Sequence, residues 1–247
     1  MNSTLPLALT FLTKLPWPWR GPADAAALAR SMFWFPWVGA VLGLGYWGAW
    51  AALQKILPAP AAAALLLALT VWVTGGLHLD GLADTADGLG GGRTPEEALT
   101  IMKDSRVGAF GVISLVVGLV LKFSLFLSLA TQTGATGALL IFPVISRWSM
   151  VLLAYLSPYA RPEGGLGQAM TLGVSPRVLT GASLSAGGLA LLILGAPGLV
   201  LFIAAGVLVW LGSLYFQRRL GGITGDVLGA TNEVLEVLVL AGALILM

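Results

Sequence analysis

The sequence predicts an all-α, polytopic integral membrane protein of about seven transmembrane helices with an N-terminal interfacial helix. Three observations carry this. The 247 residues are 57% hydrophobic and 10% charged, with a mean hydropathy of +0.92, whereas soluble domains carry about 25% charged residues. Apolar stretches recur near the ~20-residue length that a helix needs to cross a bilayer: Met32–Gln54, Ala59–Leu77, Phe110–Ala130, Gly137–Leu156, Val178–Ala196, Gly198–Phe216 and Val227–Leu246. The charges are one-sided. Seven spans put Lys14, Arg20, Arg30, Arg93, Lys103, Arg106, Arg161, Arg177, Arg218 and Arg219 on one face, against Lys55 on the other. The positive-inside rule then places the N-terminus in the cytoplasm.

The first element is the apolar run Leu5–Leu12. It is short, holds Pro6 and has its lysine after it, which argues against a signal peptide. It reads as an interfacial helix ending near Lys14-Leu15-Pro16. The first span carries Gly43-Leu44-Gly45, and the fifth carries Gly187-Gly188; such small residues allow close helix contacts, within or between subunits. Between residues 178 and 216, Ala-Pro-Gly at 196–198 separates two full spans or the arms of a re-entrant pair.

Four charges fall inside spans, where each costs about 2.5–3.5 kcal/mol on insertion scales and is a functional candidate. Lys122 lies some 18 Å into the third span and Arg147 roughly 13 Å into the fourth, at 1.5 Å per residue. Glu233 and Glu236 follow Asn232 in the last span, with Asp226 at its start. An ion pair such as Arg147 with Glu236 accounts for them structurally. Arg147, Asp226, Asn232 and Glu233 instead suit the lining of a polar substrate cavity. Cysteine is absent, which excludes disulfides and thiolate metal sites. Net charge is only +2, so the pI near 9.2 gives no reason to expect nucleic acid. Residues 1–247 read as one catalytic domain without linker or repeat.

The chemistry concentrates in residues 75–93. Of 11 acidic residues, Asp80, Asp84 and Asp87 fall within one short stretch, and on a helix they share a sector of about 60°. Carboxylates so crowded repel one another. Mg²⁺ relieves this, binding through one or two carboxylates plus substrate phosphates. His78 is the one histidine, a structural residue or a general base. On an unbroken helix it points away from Asp80; only a break at Gly75-Gly76, or a non-helical motif, would bring it to the site. Thr94-Pro95-Glu96-Glu97 reads as a capping-box helix start. Behind it, Lys103 and Arg106 suit phosphate binding, with Asp104 as a further metal ligand.

These residues resemble cobalamin synthase, the adenosylcobinamide-GDP ribazoletransferase family. The resemblance rests on His78-x-Asp80-Gly81-Leu82-Ala83-Asp84-Thr85-x-Asp87-Gly88, Gly91-Gly92 and Ile101-Met102-Lys103-Asp104-Ser105-Arg106-x-Gly108. It extends to Phe11-Leu12-Thr13-Lys14-Leu15-Pro16, Phe35-Pro36-x-Val38-Gly39, Ser146-Arg147-Trp148, Pro158-Tyr159-Ala160-Arg161, Gly165-Leu166-Gly167 and Gly225-Asp226-x-Leu228-Gly229-Ala230-x-Asn232-Glu233. Lys14 replaces the family's arginine and keeps its charge. The resemblance implies that adenosylcobinamide-GDP and α-ribazole, or its 5′-phosphate, give adenosylcobalamin, or its phosphate, and GMP. It implies Mg²⁺ and a bacterial cytoplasmic (inner) membrane. Asp80, Asp84, Asp87 and Asp104 fall at the family's acidic positions. On that reading Asp80, Asp84 and Asp87, with Asp104, hold the metal, and a motif aspartate or His78 takes the hydroxyl proton. Lys103 and Arg106 hold phosphate, while Arg147, Arg161, Asp226, Asn232 and Glu233 bind substrate. Partners are the two substrates and the bilayer; a homo-oligomer and contacts with other corrinoid-assembly enzymes stay open. A CDP-alcohol phosphotransferase differs by having Ala-Arg where Ala83-Asp84 stands. A transporter is disfavoured because the acids cluster at the edge rather than mid-bilayer.

Overall fold

A computed structural model describes residues 4–16, 24–132, 136–161, 163–164 and 166–247. Arg20 and Gly165, which the sequence reading used, lie outside the described residues. The elements are α1 (Leu5–Leu12), α2 (Ala25–Ser31), a 3₁₀ turn (Met32–Trp34), α3 (Phe35–Ile56), α4 (Ala59–Thr74), α5 (Leu77–Gly91), α6 (Pro95–Ile101), α7 (Ala109–Ser128), α8 (Thr136–Leu156), α9 (Leu166–Gly173), α10 (Pro176–Leu194), α11 (Ala196–Leu220) and α12 (Gly225–Leu246). Among the described residues there is no strand, only one isolated bridge between Tyr159 and Ile223. The fold is all-α and polytopic, as expected.

Among the described residues six helices are long and apolar enough to cross a membrane, and the bent pair α4–α5 makes a seventh if it is one broken span. The first continues from α2 through the 3₁₀ turn into α3, over Ala25–Ile56. Helices α10 and α11, of 19 and 25 residues, each qualify alone. Residues 178–216 therefore hold two helices that are each long and apolar enough for a full span. Gly195, with φ +66°, makes the turn between them. The short run Leu5–Leu12 is helical as expected, and it is packed down: Leu7, Ala8, Leu9 and Leu12 are buried.

Helix α8 is the hub, enclosed by α3, α10, α11 and α12 and buried along most of its length. Small residues bring α3 against it. A Cβ on Gly39 would fall 2.7 Å from the Pro143 carbonyl carbon and 2.8 Å from Val144 Cα; one on Gly43 would fall 2.6 Å from the Leu140 carbonyl oxygen. Gly43 is thus a contact within the chain. The outer faces of α7, α10 and α11 stay apolar and exposed, as at Val116, Leu192 and Ile203, which is the surface a bilayer would cover.

The connecting segments gather at one end. The Lys14 amide donates to the Val73 carbonyl at 2.7 Å. Across the bundle, Ala160 N–H donates to Ile223 and Ile223 N–H to Pro158, both at 2.9 Å. These bonds bring the segments after α1, α4, α8 and α11 together with the starts of α5 and α12.

Overpacking a helix contact costs about 1–3 kcal/mol, so Gly39→Leu is expected to lower the melting temperature of the detergent-solubilised protein markedly. Gly48→Leu, at a position with nothing within 4 Å of an added Cβ, is expected to leave it unchanged.

Candidate active site at the helix ends

The site begins with two glycines. Gly75 and Gly76 both take left-handed backbone, φ +64° and +72°, a conformation that costs other L-residues roughly 1–2 kcal/mol each. They turn α5 by 88° from α4. The break falls where the sequence reading required one for His78 to reach the site. Helix α5 then crosses the start of α12 at very short range. A Cβ on Gly81 would lie 2.6 Å from the Asp226 carbonyl oxygen, and one on Gly229 would lie 3.2 Å from His78 Cα. Small residues on both helices are what allow the acidic segment to sit on α12.

One cavity opens at this crossing and a second on the side of α5 that faces α1 and α7. The smaller, about 260 Å³, is lined by His78, Asp80, Tyr159, Arg161, Met170 and Asp226, among others. The larger, about 660 Å³, has Thr10, Lys14, Thr74, Asp80 and Leu115 on its walls. Asp80, Phe11 and Leu77 belong to both walls. His78 and Asp80 face one cavity although they are two residues apart, because that cavity lies across the first turn of α5 rather than along its side.

The carboxylates fall into distinct settings. Asp84 is partly buried and within electrostatic reach of Asp80, Asp226 and Asp87, with Arg161 as the opposing charge. Asp226 accepts from Arg161 Nη2 at 2.8 Å and from Thr224 Oγ1 at 3.2 Å. Asp87 turns elsewhere: its two oxygens accept the amides of Gly108 at 2.7 Å and Gly111 at 2.8 Å. It supplies from 21 residues away the cap that Gly108 cannot give to α7. Asp104 is exposed and holds Arg106 through Nη2 at 2.6 Å and Nε at 3.0 Å. Those hydrogen bonds pull its carboxyl down to about 2. Among the described residues no three His, Cys, Asp or Glu side chains converge so as to hold a metal ion. The expected shell of Asp80, Asp84, Asp87 and Asp104 is therefore not assembled. Asp87 is engaged by backbone amides, and Asp104 by its neighbouring guanidinium.

A family model described as cobalamin-5-phosphate synthase matches residues 4–244. The chain belongs to that family. Three curated relatives named adenosylcobinamide-GDP ribazoletransferase share this similarity. They are 44% identical over 239 residues (Syntrophobacter fumaroxidans), 42% over 240 residues (Desulfitobacterium hafniense) and 45% over 237 residues (Pseudomonas putida). Each alignment covers 96% of this chain and 94–96% of the relative. No solved structure matches.

Within this member of the cobalamin-5-phosphate synthase family, Arg161 and Asp226 line the smaller cavity. Arg147, Asn232 and Glu233 do not; they belong to a closed network in the bundle interior. Lys122 Nζ donates to Glu233 at 2.7 Å and to Glu236 at 2.6 Å, and Arg147 Nη1 donates to Glu236. Asn232 Nδ2 reaches Glu236 at 3.2 Å. Mutual neutralisation holds these side chains together, so they are not turned toward the cavity. Lys103 pairs with Glu163 and Arg106 with Asp104, so neither cation is free for phosphate in this conformation. Lys14 and Tyr159 line the cavities without having been singled out as site residues. The signal was present, since both sit in stretches that carry the family resemblance. The capping box at α6 is as read: Glu97 N–H donates to Thr94 Oγ1 at 3.2 Å and Arg93 N–H to Glu97 at 2.9 Å.

Two outcomes test these assignments. Lys122→Met leaves two glutamates against one guanidinium; breaking a buried ion pair costs about 3–5 kcal/mol, so urea or thermal unfolding in detergent should show a loss of that order. Glu97→Gln keeps an acceptor for the Arg93 amide, and the variant should match wild type in both stability and turnover.

Proposed function

We propose that the chain transfers the corrinoid phosphoryl group of adenosylcobinamide-GDP to α-ribazole or its 5′-phosphate, forming adenosylcobalamin or its phosphate and releasing GMP. The observation that carries this reading is the position of Asp80 in a wall common to two cavities, with Asp84, Asp226 and Arg161 beside it. Two substrates that must meet at one phosphorus need such a junction. The family and the names of its relatives supply the reaction class.

In this scheme the 3′-hydroxyl of α-ribazole attacks the phosphorus next to the corrinoid. The bond to the GMP phosphate breaks, and GMP leaves with the electron pair. Attacking and leaving oxygens lie in line, and the protein's part is positioning and charge neutralisation. Asp80 accepts the hydroxyl proton at the cavity junction. Arg161, held by Asp226, faces the smaller cavity and orients its occupant. Lys14, on the wall of the larger cavity, takes phosphate of the activated corrinoid. Asp80 and Asp84, within electrostatic reach of each other and of Arg161, suit Mg²⁺, which takes one or two protein carboxylates and completes its shell with substrate phosphate and water. Asp80 and Asp84 would hold it, and the ion would supply neutralisation of the phosphate charge. The clustering of Lys and Arg at this end of the bundle supports a cytoplasmic active site in a bacterial inner membrane.

The test is GMP release and cobalamin formation by purified, detergent-solubilised protein given adenosylcobinamide-GDP, α-ribazole and Mg²⁺. Turnover is expected to vanish with EDTA and in Asp84→Asn, while that variant stays folded in the membrane. Undiminished GMP formation by Asp84→Asn would remove the metal assignment. CMP release from a CDP-alcohol, with no GMP formed, would overturn the reaction.

A further inference from the structure

His78 is the chain's single histidine, 1% exposed, and only one of its ring nitrogens has a partner. Nδ1 lies 3.2 Å from Asn232 Nδ2, and the same amide nitrogen lies 3.2 Å from Glu236 Oε1. Glu236 also accepts from Lys122 and Arg147, so it is an acceptor only. It requires the NH₂ side of the Asn232 amide; a flipped amide would set two oxygens against each other. The two hydrogens of Nδ2 then go to Glu236 and to His78 Nδ1. Nδ1 must offer its lone pair, and the ring proton sits on Nε2. Nε2 is buried without a partner, on a residue that lines the smaller cavity.

We propose that His78 donates a hydrogen bond from Nε2 to an oxygen of the ligand in the smaller cavity, with its tautomer fixed from the bundle interior by Glu236 through Asn232. A buried N–H without an acceptor is costly, and a ligand oxygen placed there removes that cost. The charged groups around the ring are Asp80, Asp226 and Arg161 at the cavity, and Glu236, Arg147 and Lys122 behind it. That the ligand is α-ribazole rests on the function proposed above and on size: about 260 Å³ admits much of a nucleoside but no corrinoid macrocycle. The tautomer rests on neither. His78 is then not the general base, since no lone pair of the ring faces the cavity. Asn232 and Glu236 are positioning residues that act through it.

A lone histidine makes the test direct. In ¹⁵N-histidine-labelled protein, Nδ1 should resonate as an unprotonated nitrogen and Nε2 as an N–H, and α-ribazole should shift the Nε2 proton. Asn232→Leu should lose the fixed tautomer. His78→Gln, whose amide reaches the Nε2 position, should keep turnover within about tenfold of wild type. His78→Asn, which replaces only Nδ1, should raise KM for α-ribazole by about tenfold or more, the scale of one lost hydrogen bond. An Nδ1–H tautomer in wild type overturns the proposal. So does an Nε2 signal unmoved by α-ribazole under conditions where GMP is formed. A protein that forms no GMP, yet whose Nε2 proton shifts with α-ribazole, supports the donor and overturns the transferase reading instead.

Discussion

The buried ion network of Lys122, Arg147, Glu233 and Glu236 is the constraint on which the rest of the bundle depends. Its members come from α7, α8 and α12, and two cations balance two carboxylates. In an apolar interior each charge is tolerable only while its partners stay in place. A slip or rotation of α12 against α7 or α8 would therefore strand a charge, and the network fixes the register of α12. Register is what the site needs from α12. Asp226 at its N-terminus meets Arg161 and the backbone of α5, and Asn232 in its second turn meets His78.

A second set of constraints is steric. Gly81 and Gly229 let α5 and α12 cross at backbone contact, and Gly75 with Gly76 supplies the turn that delivers α5 to that crossing. Asp87 joins this segment to the next span, because its carboxylate completes the N-terminus of α7. The acidic helix is thus held from three directions: a turn behind it, α12 beneath it and α7 beside it. This division of labour explains why three aspartates at helical spacing do not act alike. Asp80 faces the cavities, Asp84 sits among opposing and like charges, and Asp87 holds the frame.

Much of the site was legible in the sequence, and its losses have physical causes. The glycine pair at 75–76, the capping box at Thr94 and the candidacy of Asp80, Asp84 and Asp226 follow from residue type and spacing, and Arg161 came with the family resemblance. Arg147, Asn232 and Glu233 looked equally suited to a substrate cavity, because an intramembrane charge marks either a functional pathway or a buried pair. Spacing along one helix does not tell which partner waits on another. Lys103, Arg106 and Asp104 looked like a phosphate and metal cluster. In the fold they are matched among themselves and with Glu163, an acid in a different segment.

The sequence by itself determined the membrane-spanning all-α class, the set of apolar stretches of spanning length and the common end at which the charged segments meet, and its motifs carried the resemblance to the family. The class, the stretches and the charge asymmetry are properties of composition and periodicity, set by what a bilayer tolerates and by local backbone chemistry. Only the tertiary structure decided that residues 178–216 make two helices of spanning length, that Asp87 caps a helix, and that Asn232 stands between Glu236 and the His78 ring. Each of these depends on which side chains from distant segments meet, and in a bundle of similar apolar helices that choice belongs to packing and to the pairing of buried charges.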